Sequence, residues 1–184
     1  MLVITGPSGV GKGTVIEQLL ERVPGLAKSV SVTTRKRRAN EVEGVDYFFK
    51  DVDQFKKMVA ADEFLEHAEY AGNFYGTPRK WVEERVSAGI DVVMELEVQG
   101  AMQVRSRHRN AGLVFLSPPS FAALEERLKS RATETPDKLA LRLRKAKEEL
   151  SEKSLFHYEV INDSIEDAVN KLVHIVYSER CRIV

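Results

Sequence analysis

Leu2-Val-Ile-Thr-Gly6-Pro7-Ser8-Gly9-Val10-Gly11-Lys12-Gly13-Thr14-Val15-Ile16 is the stretch that decides the fold. Leu2 to Thr5 reads as a short buried strand. From Thr14 to Arg22, Val15, Ile16, Leu19 and Leu20 are spaced for one helix face, and Pro24-Gly25 ends the run. Between strand and helix lies a glycine-rich loop, Gly6 to Gly13. Main-chain N–H groups can all face one anion only if the chain curls tightly, and glycine permits that curl. The helix start adds partial positive charge, and Lys12 adds a full charge suited to β/γ-phosphate oxygens. Gly6, Pro7, Ser8, Gly9, Val10, Gly11, Lys12, Gly13 and Thr14 are therefore the expected nucleotide-binding residues. One position departs from the Walker A pattern. The residue after the lysine is Gly13, and the hydroxyl that would meet Mg²⁺ comes one place later, at Thr14. Mg²⁺ is expected to be held by phosphates and water more than by protein, and no side chain is assigned as its ligand.

Working outward, strands and helices alternate. Strands are predicted at Ser29–Thr34, Asp46–Phe49, Phe64–Tyr70, Asn73–Tyr75, Asp91–Glu97, Leu113–Leu116 and Glu159–Asn162. Helices are predicted at Val52–Ala61, from Pro78 to about Ala88, and at Gln99–His108, Ser120–Lys129, Asp137–Leu150 and Ile165–Arg180. This rhythm argues for an α/β fold with a central parallel sheet and helices on both faces. The stretch from about Thr33 to Thr77 breaks the rhythm and reads as a small mixed insertion.

The 184 residues fit one domain, 1–184. Lys+Arg and Asp+Glu are 28 each, so the net charge is zero, which argues against a general nucleic-acid or membrane-surface binder. A single cysteine, Cys181, excludes an intrachain disulfide and a multi-cysteine zinc site. The four histidines show no metal-ligand spacing. No apolar run reaches the ~18 residues of a membrane span, and Gly6 comes too early for a signal peptide, so a cytoplasmic protein is expected. A GTPase would carry Asn-Lys-x-Asp; Asn170-Lys171-Leu172-Val173 lacks the final aspartate and falls within a predicted helix.

The insertion holds a basic loop, Thr33-Thr34-Arg35-Lys36-Arg37-Arg38. By itself it could be a solvated loop. Glu41, Tyr47, Glu66 and Tyr75 fall within the same insertion, and arginine forks with tyrosine hydroxyls suit phosphate oxygens. A second basic region runs from Arg127 to Lys147, with a break at Thr133 to Pro136.

These residues, in order and spacing, resemble guanylate kinase. The shared motifs are Val32-Thr33-Thr34-Arg35, Arg38, Glu41, Gly44, Asp46-Tyr47, Phe64-Leu65-Glu66, Gly72-Asn73-Phe74-Tyr75-Gly76-Thr77, Gln99-Gly100, Pro118-Pro119-Ser120, Arg131-Ala-Thr-Glu-Thr and Ile161-Asn162-Asp163. The resemblance runs from about Leu2 to Arg180. It implies a three-layer α/β/α P-loop NTPase fold and Mg²⁺-assisted transfer of the γ-phosphoryl group of ATP to GMP. It implies core segments at 1–32, 81–119 and 151–184, a GMP-binding insertion at 33–80 and a lid at 120–150. Arg35, Arg38, Tyr47 and Tyr75 look like ligands of the GMP phosphate, and Glu41 looks like an orienter of the arginines. Ser31, Glu66, Thr77 and Glu97 look like the guanine end. Lys12, Arg35 and the lid residues Arg131 and Arg142 look like the catalytic charges, with Arg144, Lys145 and Lys147 on a solvated face. Asn162 looks like a neighbour of the ATP base.

The chemistry of guanine suits Glu66, because N1–H and the 2-amino group lie side by side and one carboxylate accepts both. The strand that carries Asp-x-Asp in many relatives reads Glu95-Leu96-Glu97 here, and Val32 replaces a frequent Ser or His. Two other readings stand beside this one. Gly13-Thr14 resembles the adenylate kinase loop, which would suit AMP or a deoxynucleotide as acceptor. Guanylate kinase-like domains also occur as peptide-binding scaffolds, which typically lose the phosphate-binding residues kept here. Nothing in the sequence separates GMP from dGMP or indicates a protein partner.

Overall fold

The computed structural model describes residues 1–70, 72–130 and 136–183. Along the chain run β1 (Leu2–Thr5), α1 (Lys12–Arg22), β2 (Leu26–Lys28), β3 (Ser31–Thr33), β4 (Tyr47–Phe49), α2 (Val52–Ala60), β5 (Phe64–Tyr70) and β6 (Asn73–Pro78). Then come α3 (Arg79–Ser87), β7 (Asp91–Glu95), α4 (Val98–Arg107), β8 (Gly112–Ser117), α5 (Phe121–Lys129), α6 (Pro136–Ser151), β9 (Tyr158–Ile161) and α7 (Ile165–Arg180).

β1 lies at the centre of a parallel sheet of order β2-β7-β1-β8-β9. Period-two alternation sends its side chains to both faces. Leu2 and Ile4 join Val93, Val114 and Leu116 against α1 and α7, through Ile16, Leu19, Val169 and Leu172. Val3 joins Val92, Met94 and Leu113 against α3 and α4, through Val82, Ala101 and Val104. A sheet buried on both faces needs continuous apolar strands, which is why β1 and β8 lack polar alternation. β1 is flanked by β7 on one side and β8 on the other, and the chain crosses over β1 between them. Their carboxyl ends open a crevice at this switch point, where α/β sheets bind ligands.

The predicted strand Ser29–Thr34 is β3 at Ser31–Thr33, and β2, just before it, has no counterpart in the prediction. Leu26–Lys28 pairs with β7 in the parallel sheet, and Ser31–Thr33 pairs with β4 and β6 in a second sheet of order β4-β3-β6-β5. Local propensity does not reveal β2, because Ala27 and Lys28 are weak strand formers and only the pairing with β7 makes them a strand. The second sheet buries Val32 and Phe64 against Phe55 of α2, with Phe48, Met58, Val59 and Phe74 around them. α2 is capped by Asp51, which accepts from the Gln54 amide at 2.7 Å while Gln54 returns a bond to the Asp51 amide. No helix among the described residues is long and apolar enough to cross a membrane.

Candidate active site

The phosphate loop leaves β1 and enters α1 with Gly11 at φ 97°, a conformation that favours glycine. A side chain on Gly6 would overlap the Leu116 carbonyl oxygen. Lys12 reaches back over the loop, donating to the Gly6 carbonyl at 2.5 Å and the Pro7 carbonyl at 3.4 Å. The loop is held from beneath by Asn162, which is 2% exposed and donates through Nδ2 to the Val10 carbonyl at 2.8 Å. Asn162 is itself fixed by its main-chain N–H on the Ser117 carbonyl and by Arg127 on its own carbonyl. Its place is therefore under the loop.

Two cavities open in front of this loop. One, about 370 Å³, is lined by Ser8, Gly9, Gly11, Lys12, Gly13 and Thr14, with Tyr70, Glu95, Glu97 and Arg142 opposite. The other, about 500 Å³, brings together Ser31, Tyr47, Glu66, Tyr75 and Glu97 with Lys12. Lys12, Tyr70, Glu95 and Glu97 line both.

At the far end of the larger cavity, Glu66 is 4% exposed. It stands opposite Thr77 across β5 and β6, beside a register shift between Phe64 and Glu66. Its Oε1 accepts from the Thr77 main-chain N–H at 3.0 Å and the Thr77 hydroxyl at 2.7 Å. Burial pushes its carboxyl above the usual range, and the two Thr77 bonds pull the other way. Thr77 is fully buried behind Glu66 and does not line the cavity.

The phosphate-binding candidates of the insertion form a network at the rim. Arg35 pairs with Glu41 through two bonds, 2.6 and 3.1 Å, a planar fork on a carboxylate. Glu41 also accepts from the Arg38 main-chain N–H at 2.8 Å. The Arg35 pair holds the Glu41 carboxyl below its ordinary range. The Arg35 guanidinium lies 5.4 Å from the Tyr47 ring centre, and the Tyr47 and Tyr75 rings meet edge to face.

α6 closes over the smaller cavity. Arg142 donates to the Ser8 hydroxyl at 2.7 Å. Lys145, expected on a solvated face, is exposed along its side chain, and its Nζ lies 3.8 Å from the Tyr70 ring centre, 3.7 Å from Glu97 and 3.9 Å from Glu149. Glu149, 7% exposed, shares Lys145 with Glu97; burial first, then that second carboxylate, push its carboxyl up to about 7. Tyr70, Lys145 and Glu149 carry no spacing signal, because their partners lie on other elements. Arg131, expected as the second lid arginine, lies outside the described residues. Among the described residues no group of three or more His, Cys, Asp or Glu is placed to hold a metal ion.

Comparison with known proteins bears directly on this geometry. Guanylate kinase of Trichodesmium erythraeum (strain IMS101) is 50% identical over 180 residues, which cover 98% of this chain and 97% of that one. The crystal structure of guanylate kinase from Anaplasma phagocytophilum is similar with a TM-score of 0.81 at 35% identity, covering 99% of this chain and 86% of that one. Shikimate kinase from Bacteroides thetaiotaomicron, 15% identical with a TM-score of 0.51, covers 96% of this chain and 97% of its own and shares the fold alone. The family model described as guanylate kinase matches residues 1–179, so the phosphate loop, both sheets and α6 all fall inside the match, and the chain belongs to the guanylate kinase family.

Proposed function

We propose that this chain transfers the γ-phosphoryl group of ATP to GMP, releasing ADP and GDP. The observation that carries the reading is the meeting of two cavities at Lys12, Tyr70, Glu95 and Glu97, one on the phosphate loop and one ending at a buried carboxylate. A phosphoryl group passed between two nucleotides needs two such sites with one shared wall.

The accepting phosphate is already ionised, so no general base is required, and catalysis reduces to alignment and charge. The main-chain N–H groups of Gly6 to Thr14 take the ATP phosphates. Lys12 and Arg142 stand beside them and, with Arg35 and Arg131, neutralise the charge that spreads over the equatorial oxygens. Mg²⁺ carried on the ATP phosphates would supply further charge neutralisation, and the Thr14 hydroxyl is the loop side chain whose chemistry would suit it. Arg35, Arg38, Tyr47 and Tyr75 take the GMP phosphate, and Glu41 orients Arg35 by its two-point bond. Ser31, Glu66, Thr77 and Glu97 serve the guanine. Thr77 acts through Glu66, by occupying Oε1 and leaving Oε2 for the base. Asn162 acts through Val10, by holding the loop's shape.

The test is a coupled ADP-release assay with GMP, dGMP, AMP, CMP and UMP as acceptors. Turnover is expected with GMP and not with AMP or the pyrimidines. Fast turnover with AMP and none with GMP would overturn the assignment.

A further inference from the structure

β5 carries Glu66 and is an edge strand of the second sheet, so among the described residues one side of its main chain has no strand partner. That side is met by one face of α4, a helix whose Ala101 and Val104 are buried in the core. The residues involved are Gly100, Gln103 and Arg107, spaced i, i+3 and i+7 and therefore on one stripe. Arg107 donates to the Phe64 carbonyl at 3.0 Å and the Leu65 carbonyl at 3.3 Å, at the register shift. Gln103 donates to the His67 carbonyl at 2.8 Å and accepts from the His67 N–H at 3.2 Å, so its amide takes the place of a neighbouring strand. Gly100 faces Glu66 itself. A Cβ on Gly100 would lie 2.5 Å from Glu66 Oε2 and 3.2 Å from its Cδ.

We infer that this stripe of α4 sets base specificity: Gly100, by lacking a side chain, and Gln103, by clamping the His67 main chain, hold the Glu66 carboxylate where it meets a purine with adjacent N1–H and 2-amino donors. The inference rests on the reading that Glu66 contacts the base. Glu66 cannot retreat from a new methyl group without cost. Its other oxygen is fixed by two Thr77 bonds and its main chain is pinned at Phe64, Leu65 and His67. Ordinary packing needs about 3.5 Å between heavy atoms, so a methyl group would displace the carboxylate by roughly 1 Å. Hydrogen bonds to a planar base do not survive such a shift unweakened. Gly100 lies inside a helix and lacks the positive φ that marks other glycines, and alanine is the better helix former. Gly100→Ala thus changes the carboxylate's position while sparing the helix. Gly100 and Gln103 are positioning residues.

The experiment measures steady-state kinetics of Gly100→Ala, Gln103→Leu and Glu66→Gln against the unsubstituted chain, with KM for GMP and for ATP, the GMP/AMP preference, and Tm. The expected result for Gly100→Ala is a KM for GMP raised about 10-fold or more and a reduced GMP/AMP preference, with KM for ATP and Tm nearly unchanged. Gln103→Leu is expected to move the same two quantities by a few-fold, the smaller response of a residue one step removed. If Glu66→Gln loses GMP selectivity while Gly100→Ala and Gln103→Leu keep it, the positioning role is overturned and the base reading stands. Equal losses in GMP and ATP affinity with a lowered Tm would also overturn it, since they mark a general structural role. If all three variants keep wild-type GMP kinetics, the base reading itself falls.

Discussion

In the function proposed above, the two ends of the cleft solve recognition by different physics. The phosphate end is built from main-chain N–H groups, a helix start and full cationic charges, and those charges interact over several ångströms with little demand on angle. The base end is built from one buried carboxylate whose spare oxygen lies between Thr77 and Gly100, where both distance and direction count. Displacement at the phosphate end is therefore tolerated for binding and removal of charge is not. At the base end a shift of an ångström already matters.

The largest effect expected from this contrast is at Lys12. Lys12→Ala should lower kcat by at least about 1000-fold in a folded protein, because its attraction strengthens as the phosphoryl group moves. Tm and the GMP/AMP preference should change little. A folded mutant with near-native turnover would remove Lys12 from the chemistry.

Next comes Glu66→Gln. Thr77 donates to Oε1 through both its N–H and its hydroxyl, so the amide oxygen will face Thr77 and the amide nitrogen will face the cavity. A donor then opposes the donors of guanine. With charge-assisted bonds worth about 1.5–3 kcal/mol each, kcat/KM for GMP should fall at least ~100-fold. Arg38→Ala should weaken GMP as well, but with the GMP/AMP preference unaltered. Parallel shifts of that preference in both variants would erase the distinction between the two ends.

A smaller effect is expected at Asn162, which supports the phosphate end without facing solvent. Asn162→Ala removes the bond to the Val10 carbonyl and should raise KM for ATP roughly 10-fold, with stability lower by about 1–3 kcal/mol from the buried carbonyl left unpaired. An unchanged KM for ATP would show that the loop keeps its shape unaided.

The smallest concerns pH, where the lid meets the core. The Glu149 carboxyl is pushed up to about 7 by burial and by Glu97, so the folded chain holds a proton there that the unfolded chain has released above about 4.5. That contribution to stability is present at low pH and is lost as pH rises through about 7. Glu149→Gln should flatten the fall in Tm between pH 5 and 8 by about 2–4 °C. An identical slope in the variant would show that the pair does not titrate in this window.

The loop from Gly6 to Thr14 was legible in the sequence because everything it needs is local: a strand, glycines, a lysine and a helix start. The helical face of α1 was legible for the same reason. The Glu97 and Glu66 assignments needed a family resemblance, since a lone glutamate has no local signature. The contacts of Lys145 with Tyr70, Glu97 and Glu149 were not legible because those partners lie on other elements or are read only once the helix is placed. β2 was hidden because Ala27 and Lys28 are weak strand formers that become a strand only by pairing with β7.

The sequence by itself determined the glycine-rich loop and, β2 apart, the order of strands and helices, because both follow from residue type and short-range spacing. Tertiary structure alone decided which contacts surround the base: Gln103 lies 36 residues from His67, and Asn162 lies 152 residues from Val10. Such pairs meet only after the parallel sheet has brought its carboxyl ends together. Burial of Glu66 between Thr77 and Gly100 is of this kind, since it depends on a strand and a helix that share no local sequence pattern.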